Sequence, residues 1–186
     1  MKNQSITEAM LQFIEDSPTA FHAAANVEAL LLENGFEKLE NLAEGALVPG
    51  GSYYTMQNGS AVLAVKIPEN PAKGFRIAAS HSDSPCFKIK EVPEMKVENT
   101  YVKLNVEKYG GMILSPWLDR PLSVAGRVFV AGKDGKPEAK LVNLKKDLLI
   151  IPNVAIHFNR EINNGFAYNP QTDMAPLMGL DQELSI

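Results

Sequence analysis

The stretch Gly74-Phe-Arg-Ile-Ala-Ala-Ser-His81-Ser-Asp83-Ser-Pro85 joins a short apolar run to a histidine, a carboxylate and a proline. Its apolar residues predict a buried β-strand over residues 75–79, and the polar cluster follows where that strand must end. In open α/β sheets, ligands bind just outside the carboxyl ends of the strands, where side chains project into a crevice. The stretch therefore predicts an α/β fold with a functional site at His81.

Asp83 follows His81 by two residues, so the two side chains point to the same side if the extended conformation continues. The carboxylate of Asp83 can then accept a hydrogen bond from one ring nitrogen of His81. Such a contact fixes the tautomer and leaves the other nitrogen available to a metal ion, the usual arrangement of a ligating histidine. The alternative is a strand-end histidine that only bonds a neighbouring loop, because so short a pattern also recurs by chance.

The composition excludes several classes of protein. The chain has 186 residues, of which 45% are hydrophobic and 22% charged, as is ordinary for one or two small globular domains. A net charge of −4 with scattered lysines argues against a general nucleic-acid binder. No secretion signal or apolar run long enough for a membrane span is evident. The single cysteine, Cys86, precludes an internal disulfide, so we expect a cytoplasmic protein.

Two helices are predicted near the N-terminus. Ser5 and Glu8 have the spacing of a capping box before an amphipathic run. Thr19 is the predicted cap of a second helix, which ends at Asn34-Gly35 because glycine accepts the left-handed conformation of a helix end. His22, at the start of that helix, is interpreted as a packing or capping residue rather than as a ligand.

Strand signals dominate the rest of the chain. Two β-prone runs flank Asn58-Gly59, a dipeptide that strongly favours a hairpin turn. Beyond Pro85, apolar and polar residues alternate as in strands with one solvated face, and no useful helical periodicity is found up to Asn159. From Gly179 to the end, no element is recognisable. Besides 75–79, the predicted strands cover residues 53–57, 61–67, 88–92, 101–107, 122–131 and 148–151.

Residues 109–128 are dense in unusual side chains, among them Trp117, Asp119 and Arg120. One interpretation is a glycine-hinged β corner, in which Trp117 anchors the core and the two charged residues form local ion pairs. The other makes Asp119 a metal-bridging carboxylate partnered with His81. The spacing does not choose between them.

Four separated stretches resemble one family in their order and spacing. Together they span nearly the whole chain. They are Ser17-Pro-Thr-Ala-Phe-His22, the run from Gly74 to Pro85, Tyr109-Gly-Gly with Trp117-Leu-Asp-Arg-Pro-Leu-Ser-Val-Ala-Gly-Arg-Val128, and Ile151-Pro-Asn-Val-Ala-Ile-His157. Together they are similar to the M18 metallopeptidases, which are aspartyl aminopeptidases of the zinc-exopeptidase type. A match of four motifs is far more specific than any one of them.

The resemblance implies a role for each candidate site residue. His81 corresponds to a zinc ligand, and Asp83 to the carboxylate that orients it. Asp119 falls in the family's dimerisation domain, which implies a structural role. His157 is similar to a histidine that reaches from one subunit into the neighbour's active site and helps to bind substrate.

The same resemblance implies an α/β fold: a partial zinc-exopeptidase-like catalytic domain over residues 1–87 and a β-rich dimerisation domain over residues 88–186. It also implies a zinc-dependent hydrolase, with two Zn²⁺ ions per complete site, that removes N-terminal and typically acidic residues from peptides. Homo-oligomers built from dimers are the expected assembly.

The chain departs from the family pattern in its lack of the remaining site residues. It contains no Glu-Glu pair, which in the family includes the general base, and no histidine after His157. A zinc ion needs about three or more protein ligands, so one histidine and one orienting carboxylate cannot hold two ions. We therefore expect an inactive N-terminal portion of such an enzyme, as a fragment or a truncated form. The alternative is a non-catalytic oligomerisation module derived from that family.

Overall fold

The computed structural model describes residues 5–40, 47–70 and 74–180, which fall into two units. The first unit contains the described residues up to Ser84 together with Ala125–Asn143, and the second contains Pro85–Val124 and the residues from Leu144 onward. Helices and strands occur together in the first unit, so the predicted α/β class is confirmed. The assignment of residues 1–87 and 88–186 to a catalytic part and a dimerisation domain stays a prediction. The elements are α1 (Ile6–Glu15), α2 (Ala20–Glu33), β1 (Glu37–Lys38), β2 (Ser52–Gln57), β3 (Ala61–Lys66), β4 (Cys86–Val97), β5 (Tyr101–Tyr109), β6 (Ala125–Ala131), β7 (Pro137–Asn143) and β8 (Leu177–Leu180), with short 3₁₀ turns at Ser115–Trp117 and Ile162–Asn164.

Both predicted helices are present, and their ends are set by the predicted residues. The Glu8 amide donates to Ser5 Oγ at 3.2 Å, and the Ser5 amide donates to Glu8 Oε2 at 2.8 Å, which completes the capping box. Thr19 caps α2, and Gly35 follows it with φ +77°. Among the described residues, neither helix is long and apolar enough to cross a membrane.

A three-stranded sheet in the order β1-β2-β3 supports the helices of the first unit. Strands β2 and β3 form the predicted hairpin, and Asn58 and Gly59 both have positive φ in its turn. Helix α2 is tied to the sheet by Glu28, whose Oε1 accepts from the buried Tyr54 hydroxyl at 3.0 Å and pairs with Lys38 Nζ at 2.7 Å.

The hairpin β6–β7 packs with this first unit through Arg127. The guanidinium carbon of Arg127 lies 4.0 Å from the ring centroid of Phe21 on α2, and its Nη1 donates to the carbonyl oxygen of Asn58 at 2.6 Å. Strand β6 lies within a predicted strand, whereas β7 lies where no strand was predicted.

The second unit is built on the antiparallel sheet β4-β5-β8. Alternate residues of β5 face its core, as the alternating sequence predicts, and they are Val102, Leu104 and Val106. The predicted strand over residues 148–151 is wrong, because only isolated bridges from Leu149 and Ile150 are found there. Strand β8 forms where no element was predicted; residues 181–186 lie outside the described residues.

The predicted buried strand over residues 75–79 is also wrong for this chain. Phe75 is 94% exposed and Ile77 is 86% exposed, and no strand of the described residues includes them. A strand is stable only when a neighbouring strand satisfies its backbone hydrogen bonds and covers its apolar face. The described part of the chain gives this apolar run no such neighbour, so it stays outside the sheets.

Candidate functional site

The candidate site centres on His81, at the end of this unpaired apolar run. Its Nδ1 lies 2.8 Å from the carbonyl oxygen of Asp83 and 3.0 Å from Asp83 Oδ1. A carbonyl oxygen can only accept a hydrogen bond, so Nδ1 carries the proton, and in the neutral ring Nε2 keeps its lone pair. The predicted contact between His81 and Asp83 is therefore present. Since the His81 side chain is 80% exposed, the ring is accessible to a ligand.

The hairpin β2–β3 forms a hydrogen bond with the residue that follows this histidine. The hydroxyl of Ser82, the next residue, donates to the carbonyl oxygen of Ser60 at 3.1 Å. Ser60 directly precedes β3. The hairpin that Asn58-Gly59 predicts therefore also helps to position the candidate site.

The described residues do not complete a metal centre. No group of three His, Cys, Asp or Glu residues close enough to hold a metal ion occurs within residues 5–40, 47–70 and 74–180. Zinc in proteins takes three or four protein ligands, and His81 supplies a single ring nitrogen. These residues alone do not fit a zinc site, so no reaction step through a metal follows from them. The roles of His81 as ligand and of Asp83 as its orienting carboxylate stay predictions.

His157 lies in the second unit, on an exposed turn that follows the fully buried Ile151. The amide of Phe158 donates to the carbonyl oxygen of Ala155 at 2.8 Å and closes this turn around the histidine. The side chain therefore stands on the surface of its unit, and its role in binding substrate for a neighbouring subunit stays a prediction.

Asp119 makes the contacts expected of a structural residue. Its Oδ1 accepts from the amide of Asn153 at 2.8 Å, and its own amide donates to the carbonyl oxygen of Ile151 at 2.9 Å. Nearby, the ring of Trp117 packs edge-on against Phe87, with 5.0 Å between the ring centroids. The contact with Asn153 was not predicted, and the one sequence signal for it is an aspartate in a segment rich in turn residues.

His22 contacts the capping residue of its helix, Thr19. Its Nδ1 lies 2.8 Å from Thr19 Oγ1, and its amide donates to the same oxygen. Partial burial lowers the pKa of His22 from its ordinary value, because burial disfavours the charged ring.

The lowered pKa of His22 predicts a pH-dependent contribution to stability. The unfolded chain binds a proton at His22 near pH 6.5, whereas the folded chain binds it only at lower pH. The contribution of the neutral His22 ring to the free energy of unfolding is therefore fully present above pH 6.5. It is lost as the pH falls toward the pKa of His22 in the folded chain. We expect the thermal unfolding midpoint to fall less between pH 7.5 and pH 5 in His22→Gln than in the parent. Equal falls in the two proteins would contradict this assignment.

A family model and curated relatives match this chain. The model for the aminopeptidase I zinc metalloproteases (M18) covers residues 13–186. A probable M18 family aminopeptidase 2 from Clostridium acetobutylicum is 47% identical over 97% of this chain and 42% of its own length. Another from Pseudomonas putida strain GB-1 is 40% identical over 94% of this chain and 41% of its own length. The chain thus spans about two fifths of the length of these relatives.

Solved structures agree with that match. One chain in the cryo-EM structure of the Ape4 and Nbr1 complex is similar with a TM-score of 0.86 and 37% identity, over 95% of this chain and 34% of that one. The structure of mApe1 from Chaetomium thermophilum gives a TM-score of 0.81 and 34% identity, over 94% of this chain and 40% of that one. The motifs and both comparisons therefore agree that this chain belongs to the M18 family, the aminopeptidase I zinc metalloproteases.

Proposed function

We propose that this chain supplies His81 and Asp83 to the active site of a zinc-dependent aminopeptidase. The observation that carries the proposal is the contact of Asp83 with Nδ1 of an otherwise exposed His81. This contact holds the proton on Nδ1 and presents the lone pair of Nε2, the form in which a neutral histidine binds a metal. The family match supports aminopeptidase chemistry, for which zinc held by the complete site would supply Lewis-acid activation of the scissile carbonyl and of water.

The remaining ligands and the general base, on this proposal, come from sequence that follows the matched region in M18 relatives. Three observations support this. The described residues offer no complete metal site, and the matched region is only 42% of the Clostridium acetobutylicum relative. Within the described residues the apolar run before His81 also has no pairing strand, which that sequence would provide. The complete site would hold two zinc ions.

The proposed substrate is the N-terminal residue of a peptide, with preference for an acidic side chain. His157 would come from a neighbouring subunit, and its exposed turn gives it the accessibility that such a role requires. A histidine ring N–H can donate a hydrogen bond to a carboxylate, which suits an acidic substrate. A homo-oligomer is therefore part of the proposal. In its support, the structurally similar mApe1 of S. cerevisiae has been solved as a dodecamer.

Joining this chain to the sequence that follows the matched region in a relative tests the proposal. The partner is the segment of the Clostridium acetobutylicum relative that follows its match to this chain, called here the clostridial segment. We expect no aminopeptidase activity from this chain or from the clostridial segment alone. We expect the fusion of the two, loaded with zinc, to hydrolyse Asp- and Glu-p-nitroanilide faster than Leu-p-nitroanilide, and EDTA to abolish the activity.

Metal content and oligomeric state decide between this proposal and the alternative. The full-length clostridial enzyme serves as the matched positive control in every assay. Zinc analysis and size-exclusion chromatography with light scattering are expected to show a zinc-loaded oligomer of the fusion. A discrete oligomer of the fusion that binds no zinc and hydrolyses none of the three substrates would instead identify the chain as a non-catalytic oligomerisation module.

A further inference from the structure

The loop that carries His157 is held at its start by Asp119. The loop leaves the core at Ile151, whose side chain is fully buried and whose carbonyl oxygen accepts from the Asp119 amide at 2.9 Å. Two residues later, the amide of Asn153 donates to Asp119 Oδ1 at 2.8 Å. Asp119 thus forms hydrogen bonds with the residues on both sides of Pro152, whose ring already restricts the backbone.

Further short-range hydrogen bonds follow along the loop from Asn153 to the turn at His157. The amide of Val154 donates to Asn153 Oδ1 at 2.9 Å, and the amide of Phe158 donates to the carbonyl oxygen of Ala155 at 2.8 Å. Side-chain packing contributes little here, because residues 152–158 are all exposed and Phe158 is 84% exposed. The conformation of the loop therefore depends on its backbone hydrogen bonds, and the first of these end at Asp119.

The backbone at Asp119 restricts which residues can make this contact. Its φ is +56°, in the left-handed region that aspartate and asparagine tolerate better than other residues with side chains. The contact with Asn153 also requires an acceptor on a short side chain. Asparagine meets both requirements, glycine meets only the backbone requirement, and alanine meets neither.

We propose that Asp119 is a positioning residue for His157, because it fixes the loop from which this histidine reaches the substrate. The inference rests on the proposed function of His157 in substrate binding. A displacement of about 1 Å in a group that positions substrate can cost a large factor in rate or binding. The hydrogen bond between Asp119 and Asn153 therefore matters for His157, although it lies at the start of the loop. Asp119 itself need not touch the substrate.

The kinetic test uses the zinc-loaded fusion with the clostridial segment and Asp-p-nitroanilide. We expect Asp119→Gly to raise KM about tenfold, because a hydrogen bond to a charged group is worth about that factor or more. We expect kcat to stay within about twofold, since a group that binds substrate uniformly affects KM alone. Asp119→Asn keeps the backbone and the acceptor, so its KM is expected to stay close to that of the parent.

A double-mutant cycle separates positioning from a general structural effect. His157→Ala is expected to raise KM at least as much as Asp119→Gly, and the double variant is expected to show no further rise. A KM unchanged by Asp119→Gly, or independent effects that multiply in the double variant, would overturn the inference. If His157→Ala leaves KM unchanged, the proposed role of His157 fails as well. If only His157→Ala raises KM, the inference alone fails.

Amide hydrogen exchange in this 186-residue chain provides a readout that needs no activity. Asp119→Gly is expected to accelerate exchange of the Asn153 amide about tenfold, whereas Asp119→Asn is expected to leave it protected. Should Asp119→Gly fail to fold, Asn153→Pro removes the donor of the same hydrogen bond without changing Asp119. Asn153→Ala, which keeps this donor but also lacks the side chain that accepts from the Val154 amide, is its control and is expected to keep the KM of the parent. The fusion carrying Asn153→Pro is then expected to show the same rise in KM, and an unchanged KM would count against the inference.

Discussion

Replacing His81 with alanine is expected to lower kcat/KM of the zinc-loaded fusion enzyme by at least about a thousandfold. A catalytic metal supplies several kcal/mol of transition-state stabilisation, and each 1.36 kcal/mol is about tenfold in rate. Loss of a ligand also lowers the zinc content. Asp83→Ala keeps His81 and its contact with the backbone carbonyl oxygen of residue 83 but removes the carboxylate contact. On the proposed function, a loss of about 10-fold to 100-fold is expected, as for residues that orient metal ligands.

Unfolding would not explain these losses. The His81 side chain is 80% exposed and packs into no core, so His81→Ala is expected to change the stability of the isolated chain by less than about 0.5 kcal/mol. Zinc content, thermal unfolding and kcat/KM are measured on the same preparations. His157→Ala serves as the matched control, since we expect it to raise KM while leaving the zinc content intact. Full activity and zinc content in His81→Ala would refute the assignment of His81 as a ligand.

Local features of the fold could be predicted from the sequence because their causes are local. The capping box at Ser5 and Glu8 and the turn at Asn58-Gly59 each depend on a few adjacent residues, and both are present. Strand β8 was missed because it has only four residues, includes Gly179, and pairs with the distant β5.

The contacts of the candidate site also divide into local ones, which the sequence predicts, and long-range ones, which it does not. The contact between His81 and Asp83 follows from a spacing of two residues, so the sequence predicts it directly. The contact between Asp119 and Asn153 joins residues 34 apart, and no spacing rule connects them. The fold that brings them together has to be known first.

The apolar run over residues 75–79 is a further case, in which the sequence pattern and the described structure disagree. Its composition is that of a buried strand, yet Phe75 and Ile77 are almost fully exposed. A sequence pattern reports what a segment can bury, and burial occurs only when a partner surface is present. The proposed function supplies such a partner in the sequence that follows the matched region in M18 relatives.

We therefore expect Ile77→Asp to prevent association of this chain with the clostridial segment when the two are expressed as separate polypeptides. Burying a side chain such as isoleucine is worth about 1.5–3 kcal/mol, and a carboxylate in the same place costs more, since an unpaired buried charge is strongly unfavourable. Together these terms predict a dissociation constant raised by at least about 100-fold. Calorimetric titration of the clostridial segment with each variant measures it directly.

A second exposed isoleucine provides the matched control. Ile113 is 76% exposed and lies in the second unit, so Ile113→Asp makes the same chemical change away from the apolar run. We expect this variant to bind the clostridial segment as the parent does. Because Ile77 is 86% exposed in this chain, Ile77→Asp should leave the unfolding of the isolated chain unchanged, so any loss of binding reflects the missing contact. Undiminished binding by Ile77→Asp would show that residues 75–79 do not join a sheet with that segment, and the apolar run would then give no support to the proposed function.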